Sequence, residues 1–255
     1  MLKILKVLFI FIITQGIVTA QSGKIRTIVI DAGHGGKDPG THNSKLREKD
    51  IALSVTLKLG KKIQEKLPGV KVIYTRKTDV FIPLHERAAI ANRNKADLFI
   101  CIHVNANPYS SKLSGSETYV MGLHKTEENL ELAMRENEVI LMEDNYKKNY
   151  KGYDLSSPMA NIMLANYQNA FMKESVKLAS MVEKQISKVG HKSRGVKQAG
   201  FQVLWQTAMP GIYVETGYLT NATDKKILGT DSGQDKLADA IFKAVKVYKE
   251  EKEAH

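Results

Sequence analysis

Four residues combine a chemically useful side chain with an unusual local setting: His34, Glu48, His103 and Glu215. His34 sits in Gly33-His34-Gly35-Gly36, directly after the apolar run Ile28-Val29-Ile30. A buried strand ending in such a turn holds an imidazole at the sheet edge with little steric cover, because glycine permits unusual backbone angles and close approach by a ligand. Glu48 opens a helical pattern in Arg47-Glu48-Lys49-Asp50-Ile51, and His103 lies near the end of a second apolar run, Asp97 to Asn105. Glu215, in Gly211-Ile212-Tyr213-Val214-Glu215-Thr216-Gly217, is again a polar residue at the end of an apolar strand. Two imidazoles and one carboxylate form a ligand set that zinc accepts with one position left for water.

The motifs around these residues, DAGHGG, REKD, CIHVNA and MPGIYVETGYLTN, stand in an order that resembles the zinc-dependent N-acetylmuramoyl-L-alanine amidases of the amidase-3 type. The linking stretch YTRKTDVFIPLHERAAIANRNKADLF is similar to that family too, and the resemblance runs from about Lys24 to Val247. Four motifs in order are far more specific than any one of them. The resemblance implies His34, Glu48 and His103 as ligands of one zinc ion, with water fourth, and Glu215 as the catalytic acid and base. It implies hydrolysis of the amide between N-acetylmuramic acid and L-alanine in peptidoglycan, releasing stem peptides. Each residue also has a plainer reading. The histidines read as structural polar groups, Glu48 as an acid favoured by a helix N-terminus, and Glu215 as an ion-pair partner or a fourth ligand. A zinc peptidase cutting within stem peptides and a non-catalytic wall-binding protein are the alternative functions.

The elements that must position these residues read as one three-layer α/β domain, a twisted mixed sheet with helices on both faces. Strands are expected at Thr27 to Asp31, Val70 to Thr75, Asp97 to Asn105, Glu117 to Met121, Phe201 to Leu204 and Gly211 to Glu215. Helices are expected from Lys49 to Leu67, with Ile51, Val55, Leu59 and Ile63 on one face, and from Pro83 onward. An amphipathic helix from Gln234 to Tyr248 closes the domain, with Glu250 to His255 as a frayed tail. Strand alternation puts Cys101 and His103 on the same side, so Cys101, the only cysteine, is expected to pack beneath the site. Arg76, Asp79 and Arg87 read as an internal salt-bridge cluster, Asn105 as a substrate contact or loop-orienting residue, and Trp205 as a groove wall or core residue. His42, His85, His124 and His191 lack such motifs and read as surface or structural residues.

The stretch from about residue 122 to 166 breaks the α/β rhythm and reads as an insertion into a catalytic domain of residues 24–250. Thr126 is placed to cap a helix beginning Glu127-Glu128-Asn129, and a polar, tyrosine-rich segment follows from Asp144. Some Gram-negative members of the resembled family carry an insertion here whose helix covers the zinc site until an activator protein displaces it. By that resemblance, Thr126 to Asp154 is expected to cover the site, with Glu136, Glu138 or Glu143 reaching the metal. An ordinary surface excursion shaping the groove is the competing reading.

The 255 residues, 43% of them hydrophobic, suffice for one domain with a sizeable core. Residues 1–20 resemble a secretory signal: Lys3 and Lys6, an apolar core from Val7 to Ile13, and small residues Val18-Thr19-Ala20 before Gln21. That core is too short to span a bilayer comfortably, so no membrane span is expected after cleavage. The formal charge of +11 is spread over helices without a base-reading motif, which argues against nucleic acid. With the resemblance it favours an anionic cell wall. No separate wall-binding module is legible, and together with the insertion this points to a Gram-negative periplasm.

Overall fold

A computed structural model describes residues 23–43, 46–123, 126–150 and 158–254, the side chains of 158–169 excepted. The secretory signal read at residues 1–20, His124 and the insertion's residues 151–157 lie outside the described residues. Strand β1 (Thr27–Ala32) is followed by two short pairing strands, β2 (His42–Asn43) and β3 (Leu46–Arg47), and by helix α1 (Glu48–Lys66). Next come β4 (Lys71–Tyr74), α2 (Leu84–Arg93), β5 (Leu98–Asn105) and β6 (Ser116–Met121). The insertion contributes α3 (Glu127–Asn137), a 3-10 turn (Glu138–Met142) and α4 (Tyr146–Asn149). The chain continues through α5 (Pro158–Lys188), β7 (Ser193–Ala199), α6 (Gln202–Trp205), β8 (Gly211–Tyr218), α7 (Ala222–Leu228) and α8 (Asp231–Glu253).

Six strands form one mixed sheet in the order β4-β1-β5-β8-β6-β7. β4, β1, β5 and β8 run parallel, and β6 and β7 run against them, with β6 antiparallel to β8. Side-chain alternation then divides the core. Ile100, Ile102 and Val104 of β5 join Val55 and Leu59 of α1, Leu178 and Val182 of α5, and Ile241 and Val245 of α8 on one face. Phe99 and Cys101 point the other way, with Ala91 of α2, Leu132 and Ala133 of α3 and Leu204 of α6. These are the expected three layers, and no helix among the described residues is long and apolar enough to cross a membrane.

Two expectations are corrected. Phe201 to Leu204 is not a strand: Phe201 has extended backbone, but Gln202–Trp205 make one helical turn that buries Val203, Leu204 and Trp205. Continuous apolarity marks burial, and over four residues it does not distinguish a strand from a buried helical turn. The sixth strand is instead β7, Ser-Arg-Gly-Val-Lys-Gln-Ala, whose half-buried edge position accounts for its polar composition. Residues 250–253 are helical rather than frayed, because Glu253 accepts a hydrogen bond from the Ile25 amide at 2.9 Å and ties the helix end to the start of the fold. Thr126 does cap α3, its hydroxyl accepting from the Asn129 amide.

Parallel β1, β5 and β8 deliver their C-terminal ends to one edge, where open α/β sheets bind ligands. The N-terminus of α1 arrives at the same edge, its first amide donating to the Thr41 carbonyl at 2.8 Å.

Candidate metal centre

His34 has φ +58, a left-handed conformation that costs a non-glycine residue energy and persists only where its surroundings impose it. Two buried arginines impose it. Arg87 donates through Nη1 to Asp31 Oδ1 (2.9 Å) and the Ala32 carbonyl (2.7 Å), and through Nη2 to the His34 carbonyl (2.8 Å). Arg76 donates to the carbonyls of Ala32, Gly33 and Lys49. Asp79 accepts from the Gly36 amide and from Lys49 Nζ, both at 2.7 Å. The expected cluster of Arg76, Asp79 and Arg87 is therefore a clamp on the His34 loop. Only the Arg87–Asp31 and Lys49–Asp79 contacts in it are ion pairs.

The loop places His34 Nε2 3.1 Å from Glu48 Oε2, while His34 Nδ1 lies 2.7 Å from Asp38 Oδ2. A carboxylate on the far nitrogen fixes the tautomer and ring orientation of a metal-binding histidine. His103 presents Nδ1 to Glu48 Oε1 at 2.9 Å. Glu48 is held by the amides of Thr41 (2.9 Å) and Val104 (2.8 Å). Its place at the helix N-terminus and its contact with both imidazoles therefore coexist. The packing leaves no slack: a Cβ on Gly33 would stand 2.2 Å from His103 Nε2, and one on Gly40 2.7 Å from Glu48 Oε2.

The fourth group is Glu136 of α3. Its Oε2 lies 3.3 Å from both His34 Nε2 and His103 Nδ1. One ligand atom from each of His34, Glu48, His103 and Glu136 falls within 4.8 Å of the others. His34 Nε2 and Glu136 Oε2 are buried without hydrogen-bond geometry to any partner, as expected of donors aimed at a common point. The donor set, two nitrogens and two carboxylate oxygens, fits a tetrahedral zinc ion. Of the other two acids, Glu143 bonds the Leu84 amide and the Tyr150 hydroxyl instead, and Glu138 lines the cavity beside the site.

Glu215 stands opposite His103 in the β5–β8 register, fully buried, with neither carboxylate oxygen hydrogen-bonded. Burial, then the charges of Glu48 and Glu136, push its pKa well above the usual carboxylate range. It stands outside the four-residue ligand cluster. Burial opposes charge on the imidazoles, but the surrounding carboxylates outweigh it and raise both pKa values, that of His34 strongly. Burial likewise opposes charge on Glu48, yet His34 and His103 bring it down to about 2.

Cys101 lies below this cluster as expected, its thiol donating to Asp31 Oδ2 at 2.8 Å. Burial and the Asp31 charge push the thiol pKa well up, which disfavours the thiolate a metal would need. Trp205 is a core residue. Asn105 is buried, its Oδ1 accepting from the Ala106 amide (2.8 Å) and Arg135 Nη2 (3.1 Å). Sequence reasoning passed over Asp38, although its position four residues after His34 was a usable signal. It also passed over Tyr213, whose ring stacks between His103 (4.2 Å) and Phe201 (3.9 Å) and which looked like one more apolar strand residue.

A profile of the N-acetylmuramoyl-L-alanine amidase family, Amidase_3, matches residues 28–247. The chain belongs to this amidase family. It is 33% identical over 224 residues to "Uncharacterized protein YqiI" of Bacillus subtilis, covering 88% of this chain and 84% of that protein. It is 34% identical over 236 residues to the N-acetylmuramoyl-L-alanine amidase AmiC of Escherichia coli O6:H1. That match covers 89% of this chain but only 54% of AmiC, so the chain spans about half the length of that relative. Among solved structures, an N-acetylmuramoyl-L-alanine amidase from Clostridium difficile 630 superimposes with a TM-score of 0.64 at 28% identity, over 88% of this chain and 97% of that one. The CwlD amidase from Clostridioides difficile, solved in complex with the GerS lipoprotein, gives 0.64 at 26% identity, over 88% and 98%. Peptidoglycan is the substrate with which this family membership is consistent.

Two expectations follow for this amidase domain. Arg87→Met strips Asp31 of its buried cation and should cost about 3–5 kcal/mol in urea unfolding. The second concerns the metal-free protein. The raised imidazole and Glu215 pKa values contribute stability at low pH that is lost as pH rises through the folded-state values. The depressed carboxylates contribute stability that is lost as pH falls below about 4.3. Chelated protein should therefore show a Tm maximum on the acid side of neutrality, and loading with zinc, which replaces the imidazole protons, should shift that maximum upward in pH.

Proposed function

We propose that this protein is a zinc-dependent N-acetylmuramoyl-L-alanine amidase, cutting the amide between muramic acid and L-alanine and releasing stem peptides. The observation that carries the reading is the meeting of His34, Glu48 and His103 beside Glu215, a buried carboxylate with no hydrogen-bond partner. His34 would hold the ion through Nε2, His103 through Nδ1 and Glu48 through a carboxylate oxygen. When bound, zinc polarises the scissile carbonyl and lowers the pKa of water toward neutrality. Glu215 takes a proton from the attacking water and hands it to the leaving amine, so that the amine departs neutral. Asp38 keeps His34 in the tautomer that leaves Nε2 free.

Glu136 makes the described conformation a latent one in this reading. Its carboxylate stands where the substrate carbonyl or water belongs, and its charge helps keep Glu215 protonated and so unable to act as a base. An activator protein acting on the insertion would withdraw α3. Met134, Leu141 and Met142 are exposed on that segment and offer apolar contact. The CwlD–GerS complex shows that one structural neighbour assembles with a lipoprotein. The basic charge and the signal-like N-terminus favour export to the envelope, and the insertion favours a Gram-negative periplasm.

Mass analysis of products from purified sacculi tests the reaction. Free peptides beginning at L-alanine are expected, and fragments cut within the stem would instead identify a peptidase. Glu215→Gln should lower the rate by about a hundred- to ten-thousand-fold while leaving bound zinc unchanged by elemental analysis. Glu136→Ala should raise basal hydrolysis roughly tenfold or more, since it frees a competent state that is now a minor population. Unchanged hydrolysis in that variant would leave the insertion as a groove wall.

A further inference from the structure

Glu136 is not the only charged side chain that α3 carries onto the sheet. Two turns earlier, Glu128 Oε1 lies 3.5 Å from Arg194 Nη2 on β7. Arg135, next to Glu136, reaches Asn105 Oδ1 at 3.1 Å and the Ala106 carbonyl at 3.3 Å. Between these contacts a cavity of about 290 Å³ runs under α3, with Asn105, Tyr119 and Tyr218 in its walls.

Two of its wall residues, Tyr119 and Tyr218, donate to Glu117, the carboxylate that also holds Arg194. That carboxylate is fully buried on β6, opposite Glu215 of β8. It accepts from Arg194 Nε, from Lys197 Nζ at 2.7 Å, and from the Tyr119 and Tyr218 hydroxyls at 2.6 and 2.9 Å. The Arg194 guanidinium also lies over the Tyr218 ring. Two cations thus share one buried carboxylate. The second negative charge comes from Glu128, a half-exposed side chain on the element that must leave for substrate to enter. Once α3 withdraws, one positive charge beside two tyrosine rings is left unmatched, next to a cavity that shares Arg135 and Glu138 with the one His34 and Glu136 line. A guanidinium in that setting is a carboxylate receptor.

We propose that Arg194, supported by Lys197, is the subsite for a carboxylate of the stem peptide, and that Glu128 fills it in the latent state as Glu136 fills the metal centre. This rests on the amidase reading and on withdrawal of α3. The direction follows from Glu215: it protonates the leaving amine from β8, the strand between β5 and β6, so the peptide side of the cut bond lies over β6 and β7. The glycan side offers no equivalent group, because the muramyl carboxyl is consumed in the scissile amide. β5 and β7 are three strand spacings apart, about 14 Å. An extended peptide advances about 3.3–3.6 Å per residue, which sets the carboxylate about four residues beyond the cut bond, within reach of a side chain at residue three or the carboxylate of residue four.

The test is calorimetric binding to the full zinc-loaded chain carrying Glu128→Gln and Glu136→Ala. The probes are synthetic tetrapeptides beginning at L-alanine, with the carboxylates of residues three and four either free or amidated. The free acid should bind about tenfold more tightly than the amide. Adding Arg194→Gln should erase that ratio, and Arg194→Lys should retain part of it. Equal binding of the two peptides, or a ratio that survives Arg194→Gln, overturns the proposal. A second comparison spares the buried network: adding Glu128→Gln to Glu136→Ala should tighten the free acid alone, and no change would refute occupancy by Glu128. Sacculus hydrolysis by the same protein is read separately, since its absence would count against the amidase reading while the binding ratio stands or falls alone.

Discussion

The arrangement of this active edge is governed by the need to keep three carboxylates, Glu48, Glu136 and Glu215, buried around two imidazoles. Uncompensated charge in such a place is expensive, and the protein answers it in three ways. Glu48 receives two backbone amides and both imidazoles. Glu136 is stabilised by the same imidazoles. Glu215 receives no hydrogen bond, and its raised pKa favours the neutral acid. In the proposed reading a divalent cation would take the place of the imidazole protons with little change in total charge. The same side chains therefore remain compatible with burial in both states.

That balance requires ligands fixed to within a few tenths of an ångström, and the fixing is done from beneath. The His34 loop owes its left-handed turn to Arg76 and Arg87, whose donors take the carbonyls that an ordinary turn would leave to water. Arg87 is itself neutralised by Asp31, which also accepts from Thr75 and Cys101. A polar column thus runs from β4 and β5 through the end of β1 to the imidazole. Glycine at positions 33 and 40 is demanded by contact, since any side chain there would enter the space of His103 or Glu48.

How much of this could be read in the sequence depended on whether a residue's role was local. His34, Glu48, His103 and Glu215 stood out because each breaks a strong apolar or helical pattern, and the structure brings all four together. The parallel strands were legible as continuous apolar runs, and the faces of α1 and α8 by their period. β7 was not, because a half-buried edge strand keeps polar residues and loses the alternation that would reveal it. Arg76 and Arg87 were visible as charges near the site. Their targets on the His34 loop, though, are main-chain carbonyls more than forty residues away, a pairing no sequence pattern encodes. Glu136 was one of three equivalent acids in a polar segment. It is distinguished only by the helical phase that turns Leu132 and Ala133 inward alongside it.

That helical phase also bears on how readily α3 could be withdrawn. The helix buries only Leu132 and Ala133 among its apolar side chains, while Met134 remains exposed. Such an area supplies a few kcal/mol at most by the usual conversion of buried apolar surface. The remaining contacts are polar: Glu136 at the imidazoles, Arg135 at Asn105 and Ala106, Glu128 at Arg194, and hydrogen bonds from Asn129 to the Gln198 carbonyl and between Asn137 and the Gly200 carbonyl and Gln202 amide. Contacts of that kind exchange readily for equivalent ones from another molecule, because in the proposed reaction a bound substrate would satisfy the donors and acceptors left behind. A cover held mainly by apolar burial would have to expose that surface to open. Opening a cover held by polar contacts is opposed only weakly by packing, so in the proposed reading a partner with modest affinity for the exposed apolar residues of the insertion would suffice to shift the balance.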